Sequence, residues 1–289
     1  MSKLNYLNIG CGTKFHKDWV NIDMASDSPY VMQYNLLTGL PFEDEKFDAI
    51  YHSQVLEHFP KEKALDFIRE CYRVLKPSGI IRVVVPDLEN IIDEYQGHLK
   101  KNIDSPNEIS KANYDWILLE MYDQSVRNYW GGQMEQYLKQ SELVNEKYIL
   151  DRIGFVGRTI REQCKSQNNH SGSKPEVSAF LRLARKIKRF FFQINSGPMA
   201  FRQKMLRIFL TKKEFGYYKL GKFRMGGEVH FWMYDRFSLK MLLEKSGFKQ
   251  IAVKSPFESN IPDWSEYELD VKNGLVYDPT SLFIEGRKL

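Results

Sequence analysis

Gly10-Cys11-Gly12 interrupts the apolar run from Leu4 to Ile9, and Asp23 ends a second apolar run, Trp19-Val20-Asn21-Ile22. Glycines in such a turn let a ligand approach the backbone without a Cβ in the way. Amides left free there, together with the start of a following helix, can face a polar group. An acid at the end of the neighbouring strand can accept hydrogen bonds from both hydroxyls of a ribose. A glycine turn also serves simply to reverse a chain, so it needs support from elsewhere. Four further side chains could move a proton near the same place: His52, His58, Asp87 and His230. Asp87 serves equally well as the N-cap of a helix. His58 and His230 serve equally well as buried structural histidines. The three cysteines, Cys11, Cys71 and Cys164, have no metal-ligand spacing, and no metal site is expected.

These residues have to be positioned by alternating strands and helices. Strands are expected at residues 4–9, 19–23, 30–35 and 47–51. A helix is expected over 61–75, where Ala64, Leu65, Ile68, Cys71, Tyr72 and Leu75 recur at three- and four-residue intervals. Pro77-Ser78-Gly79 should stop it. Ile80 to Val85 is a β-branched run suited to a strand covered on both faces. A helix over 237–245 and strands at 248–254 and 281–285 complete an α/β pattern, which implies a parallel sheet with ligands beyond the carboxyl ends of its strands. His52 follows the fourth strand, so it is expected near the cleft. Three parts result: 1–99 for the cofactor, 100–228 as a largely helical insertion or lid, and 229–289 completing the sheet. Residues 163–175 are expected as a polar loop within the insertion.

Leu7-Asn8-Ile9-Gly10-Cys11-Gly12-Thr13 resembles the first motif of the class I S-adenosylmethionine-dependent methyltransferases. Leu40 to Ile50, Val55-Leu56-Glu57-His58 and Arg73-Val74-Leu75-Lys76-Pro77-Ser78-Gly79 resemble the next signatures, in family order and with family spacing. The resemblance implies a Rossmann-like α/β fold: a mostly parallel seven-stranded sheet with an antiparallel last strand. It implies S-adenosylmethionine as cofactor and S-adenosylhomocysteine as product. Gly10, Cys11 and Gly12 would wrap the methionine part, Asp23 would hold the ribose and Met24 would pack on the adenine. Asn35 and Leu36 would meet the adenine edge, and Ser53 would sit beside the sulfonium. Asn8, Lys14 and Asn35 depart from the family's usual acid, glycine and acid. A subgroup associated with surface polysaccharide or lipopolysaccharide synthesis is more similar still, through Trp19 to Asp23, Val85-Pro86-Asp87-Leu88 and His230 to Asp235. This likeness implies a hydroxyl acceptor on a glycan or lipid-linked glycan. His230 and Asp87 are the first candidates for its base, ahead of His52 and His58.

The net charge of +5 conceals an asymmetry: residues 174–224 carry +12 and the rest of the chain −7. Basic residues alternate with Leu, Ile and Phe over 181–210, a composition suited to an anionic membrane surface or to a lid with a solvated basic face. Nucleic acid is a lesser candidate, because no RNA-binding motif accompanies the block and the Asn-Pro-Pro-Tyr signature of base-amine methylation is absent. No stretch is long and apolar enough for a transmembrane helix, and the N-terminus lacks the apolar core of a secretory signal. A cytoplasmic protein is expected, with the inner face of the membrane as a docking surface. The alternatives are a small-molecule or RNA methyltransferase, or a non-catalytic relative acting as a membrane-associated assembly factor. The oligomeric state is not legible.

Overall fold

The computed structural model describes residues 4–169, 202 and 205–289. Nine strands are present among them: β1 (Tyr6–Ile9), β2 (Val20–Asp23), β3 (Val31–Gln33), β4 (Phe47–Ser53), β5 (Leu75–Pro86), β6 (Lys249–Lys254), β7 (Val271–Lys272), β8 (Leu275–Val276) and β9 (Ser281–Arg287). Seven form one sheet in the order β3-β2-β1-β4-β5-β9-β6, and β7 pairs with β8 apart from it. Every pairing from β3 across to β5 is parallel. β9 runs antiparallel to both of its neighbours. This is the Rossmann-like sheet with one antiparallel strand that the motifs implied.

Helix α1 (Lys61–Val74) covers one sheet face because Ala64, Phe67, Ile68, Cys71 and Val74 fall on one stripe and are buried. With helix α7 (Arg236–Lys245) it encloses the main apolar core, which includes Leu7, Ile9, Ile50, Val83, Leu239 and Leu243. The opposite face carries Tyr6, Trp19, Tyr51, Trp264 and Phe283, so part of its cover is a C-terminal segment with a 3₁₀ turn over Trp264–Tyr267 and not an α-helix. Arg82 is wholly buried on that side, paired with Asp270 at 2.7 Å and Glu285 at 2.8 Å.

The structure departs from the sequence reading at three local elements. No helix follows the glycine turn; residues 10–19 form turns and bends. Helix α1 ends at Val74, and β5 begins at Leu75, so Pro77-Ser78-Gly79 lies inside the start of the strand. Ser78 has φ +65°. A Cβ on Gly79 would stand 2.7 Å from Leu75 Cγ, which is why the chain needs glycine there. Residues 163–169, expected as loop, continue a helix.

The middle of the chain is helical: α2 (Leu88–Asp104), α3 (Glu108–Val126), α4 (Gly132–Leu138), α5 (Glu146–Asn169) and α6 (Lys212–Arg224). α2 runs across the boundary expected at residues 99–100. α5 is kinked at Gly154, where φ is +56° and ψ −142°. A Cβ there would lie 2.4 Å from the Tyr277 carbonyl oxygen, so glycine alone lets the helix press on the 276–279 loop. Residues 182–192 of the basic block lie outside the described residues.

Candidate active site

The glycine turn is built by collision and by capture. Gly10 has φ +63°, and a Cβ would stand 2.4 Å from Val55 Cγ2. The first motif is thereby packed against the Val55-Leu56-Glu57-His58 turn. Gly12 has φ +51° and nothing within 4 Å of its missing Cβ. Its amide donates to Asp23 Oδ2 at 2.8 Å, and the Ala25 amide donates to Asp23 Oδ1 at 3.0 Å. The carboxylate at the end of β2 is thus held by backbone donors, and each oxygen keeps a lone pair. Met24 is 45% exposed beside it, and its backbone carbonyl accepts from Gln33. The open face at Gly12, the anchored carboxylate and the exposed thioether fit a nucleoside.

The three departures from the family pattern each have a local role. Asn8 is buried and donates to the Lys14 carbonyl at 2.8 Å and to Asn21 Oδ1 at 3.3 Å, closing the turn from beneath. An acid has no such donor. Lys14 Nζ donates to Ser53 Oγ at 3.2 Å and pairs with Asp278 at 2.9 Å. Asn35 is exposed and caps a 3₁₀ turn over Leu36–Thr38 by accepting from the Leu37 amide. The Leu36 side chain points into the main core. Cys11 is buried, and burial pushes its thiol up to about 12, so it stays neutral and packs.

Beyond Ser53 the strand ends open onto a cavity of about 620 Å³ walled by Gln54, Pro86, Glu120, Gln124, Arg127 and Asp278, among others. Gln54 and Pro86 come from the ends of β4 and β5, and the others come from α3 and the 276–280 loop. Asp278 therefore touches both places: it pairs with Lys14 at the glycine turn and lines the cavity.

The candidate bases are distributed unequally. His52 is a correction: it is wholly buried against Phe67, with ring centroids 5.3 Å apart, and neither ring nitrogen has a hydrogen-bond partner among the described residues. Burial pushes its pKa down to about 3. β4 continues to Ser53, and the two-residue period places His52 on the face of Ile50. Asp87 caps α2 by accepting from the Glu89 amide at 3.0 Å, and its half-burial raises its pKa. It also bridges to Tyr234, whose carbonyl accepts from Leu88.

His58 and His230 meet edge to face, with centroids 4.7 Å apart. Residues 229–232 enter as an extended segment held by three backbone bonds: His230 N to Gln124 O at 3.0 Å, Phe231 N to Glu57 O at 2.8 Å and Trp232 N to Glu57 O at 3.3 Å. Burial lowers the pKa of both imidazoles. Glu57 stands beside them, fully buried, and burial lifts its carboxyl to about 8 despite nearby backbone amides and Lys14. Its partnership with the two histidines was missed in the sequence, because Glu57 and His230 are 173 positions apart.

Residues 17–83 match a family model described as a methyltransferase domain. A protein of Mycobacterium tuberculosis named as a probable S-adenosylmethionine-dependent methyltransferase is 42% identical over 57 residues, 20% of each chain. An uncharacterized protein of Haemophilus influenzae is 26% identical over 136 residues, 45% of this chain and 50% of that one. The chain thus spans at most half the length of these curated relatives. Among solved structures, a Thermotoga maritima methyltransferase described as a possible histamine N-methyltransferase aligns with TM-score 0.37 and 13% identity, over 100% of this chain and 84% of that one. The family match and the Mycobacterium relative support a class I methyltransferase domain and S-adenosylmethionine as its cofactor.

Proposed function

We propose that this chain transfers a methyl group from S-adenosylmethionine to a hydroxyl of a surface-glycan sugar or its lipid-linked precursor. The observation that carries the reading is the Asp23 carboxylate, anchored by the Gly12 and Ala25 amides and continuous through Lys14 and Asp278 with a cavity of mixed polar and apolar lining. Asp23 would hold the ribose, and Met24 would lie along the adenine. Lys14 and Asp278 are oppositely charged, and they match the carboxylate and ammonium of an amino-acid end. When bound, the cofactor supplies a sulfonium methyl for in-line displacement: its C–S bond breaks as the acceptor O–C bond forms. The acceptor's proton must leave, and Asp87, His58 and His230 are the bases nearest the strand ends. Gln54, Gln124 and Arg127 suit the many hydroxyls of a sugar, and their wall would orient one of them.

Docking on an anionic membrane surface through residues 181–210 belongs to the same proposal. Residues 170–201, 203 and 204 of the basic block lie outside the described residues. What supports docking is its end: Ile208 and Phe209 are each 75% exposed, and helix α6, rich in lysine, has no buried residue. Each basic side chain near an anionic surface adds about 1 kcal/mol. No described helix is long and apolar enough to cross a membrane.

Calorimetric titration with S-adenosylmethionine and S-adenosylhomocysteine tests the cofactor half of the proposal. Asp23→Ala removes the ribose acceptor and should weaken binding about 10- to 100-fold, the value of one or two charged hydrogen bonds. Unchanged affinity would remove the ribose role from Asp23. Transfer of labelled methyl to RNA and not to glycan acceptors would replace the glycan reading with the RNA one.

A further inference from the structure

Glu57, His58 and His230 present three ligand atoms that all lie within 4.8 Å of one another. We propose that they form a binding site for one divalent first-row transition-metal ion. Both carboxylate oxygens of Glu57 are buried and have no hydrogen-bond partner among the described residues. A fully buried carboxyl is costly as an anion, so it stays protonated or gains a compensating cation such as a metal ion. The imidazoles are each oriented from behind. His58 Nδ1 lies 3.1 Å from the Val229 carbonyl oxygen, which only accepts, so Nδ1 carries the proton and Nε2 is the lone pair left. His230 Nε2 lies 3.1 Å from the Gln124 side-chain amide, which a half-turn converts from donor to acceptor. This is the outer-shell pattern of metal-bound histidines: one ring nitrogen on a carbonyl or amide and the other on the ion.

Two neutral nitrogens and one carboxylate select zinc, iron, cobalt or manganese over calcium or magnesium, and they leave coordination positions open. Ion–ligand distances of about 2.0–2.2 Å require the three side chains to draw inward on binding. Two positive charges lie nearby, and both are already paired: Lys14 with Asp278 at 2.9 Å, and Arg127 with Asp123 at 2.8 Å and Glu228 at 2.7 Å. Gln124 and Arg127 also line the cavity, so the cluster lies directly behind the acceptor wall. An ion there would tie the Glu57-His58 turn to the returning segment that carries His230. The binding site does not depend on the methyl-transfer reading.

The test is to strip the purified full chain with chelator, titrate it with Co²⁺ while recording visible absorption, and compete with Zn²⁺ by calorimetry. The site predicts one Co²⁺ per chain with a ligand-field band, displaced by Zn²⁺, and a rise in melting temperature. The isosteric Glu57→Gln variant and His230→Ala should each lose stoichiometric uptake, with wild-type circular dichroism confirming the fold of the first. No stoichiometric uptake by the wild type, or unchanged uptake by Glu57→Gln, would overturn the site. S-adenosylhomocysteine titration of the same samples separates the two readings. Metal uptake without nucleoside binding would leave the metal site standing and sink the methyl-transfer reading. Nucleoside binding without metal uptake would do the reverse.

Discussion

The sheet between β1 and β5 buries aliphatic side chains against α1, whereas the insertion between α3 and α5 buries charge. In the first, Leu7, Ile9, Ile50, Ile81, Val83 and Val85 meet Phe67, Ile68 and Cys71 in one apolar core. In the second, among the described residues, Trp116, Leu138 and Ile149 form a small buried apolar cluster with partly buried Leu119, Met134 and Ile153 against it. Polar ties do the rest. Arg152 pairs with Glu120 at 2.6 Å and reaches Asn90 at 3.0 Å. Arg161 donates to the carbonyls of Leu138, Gln140 and Ser141. Asp123 accepts from Arg127 and from the Gln133 amide. Apolar burial is non-directional and gives a rigid frame for the glycine turn. A buried polar network specifies one arrangement and is costly when broken. The cavity wall therefore sits on a part of the molecule that is sensitive to the loss of a single partner, as the sheet is at Arg82.

Arg152→Ala would break this contrast most forcefully. It leaves the Glu120 carboxylate buried without its cation, and losses of that kind cost about 3–5 kcal/mol. Hydrogen exchange should show amides of α3 to α5 opening while those of β1, β4 and β5 stay protected. Equal loss of protection in the sheet would mean that the two regions fold as one unit.

Gly10→Ala should come next, destabilising by about 1–3 kcal/mol through overpacking against Val55 and a positive φ. Denaturant midpoints check it. A wild-type midpoint would mean that Val55 moves aside freely, and the first motif would not be locked to the Glu57 turn.

The His52 effect is smaller and depends on pH. Its folded pKa is held down at about 3, so the folded state keeps it neutral while the unfolded state protonates below about 6.5. Stability is intact above that pH and falls as acid is added, by up to about 1.4 kcal/mol per unit. His52→Leu should therefore flatten the stability profile between pH 6.5 and pH 5. An unchanged slope would place the acid sensitivity elsewhere.

Gly12→Ala should change stability least, by roughly 1 kcal/mol for its positive φ, since no atom lies within 4 Å of the new Cβ. It should weaken S-adenosylhomocysteine binding more than Gly10→Ala does per unit of stability lost, as read by paired titration and denaturation. The opposite ratio would move the nucleoside away from Gly12.

Much of the frame was legible. Strands β1, β2, β4, β5, β6 and β9 and helices α1 and α7 lie within a few residues of where apolar periodicity puts them, because a strand or helix inside a core must show its buried face in its own sequence. The seven-stranded arrangement followed from the ordered motifs. His52 was misplaced although its signal was present: Ile50 and His52 share a face once β4 is carried on to Ser53. Gln163 to Asn169 read as loop from their polarity, yet α5 runs through them. The Gly131-Gly132 pair carried a signal that local reading passed over. A Cβ on Gly132 would stand 2.2 Å from Asp123 Oδ2, so the pair exists to let that carboxylate take backbone amides.

By itself the sequence determined the glycine turn, the acid that follows it and the strands that carry both, because each is encoded within a few dozen consecutive residues. Tertiary structure alone decided the pairing of Lys14 with Asp278 across 264 positions and the docking of α5 on the 276–279 loop through Gly154. It also decided the meeting of Glu57 and His58 with His230. These contacts join residues that share no helix or strand, so no periodicity records them. They exist only because the sheet brings the ends of β4 and β5 to the place where the chain returns from the insertion.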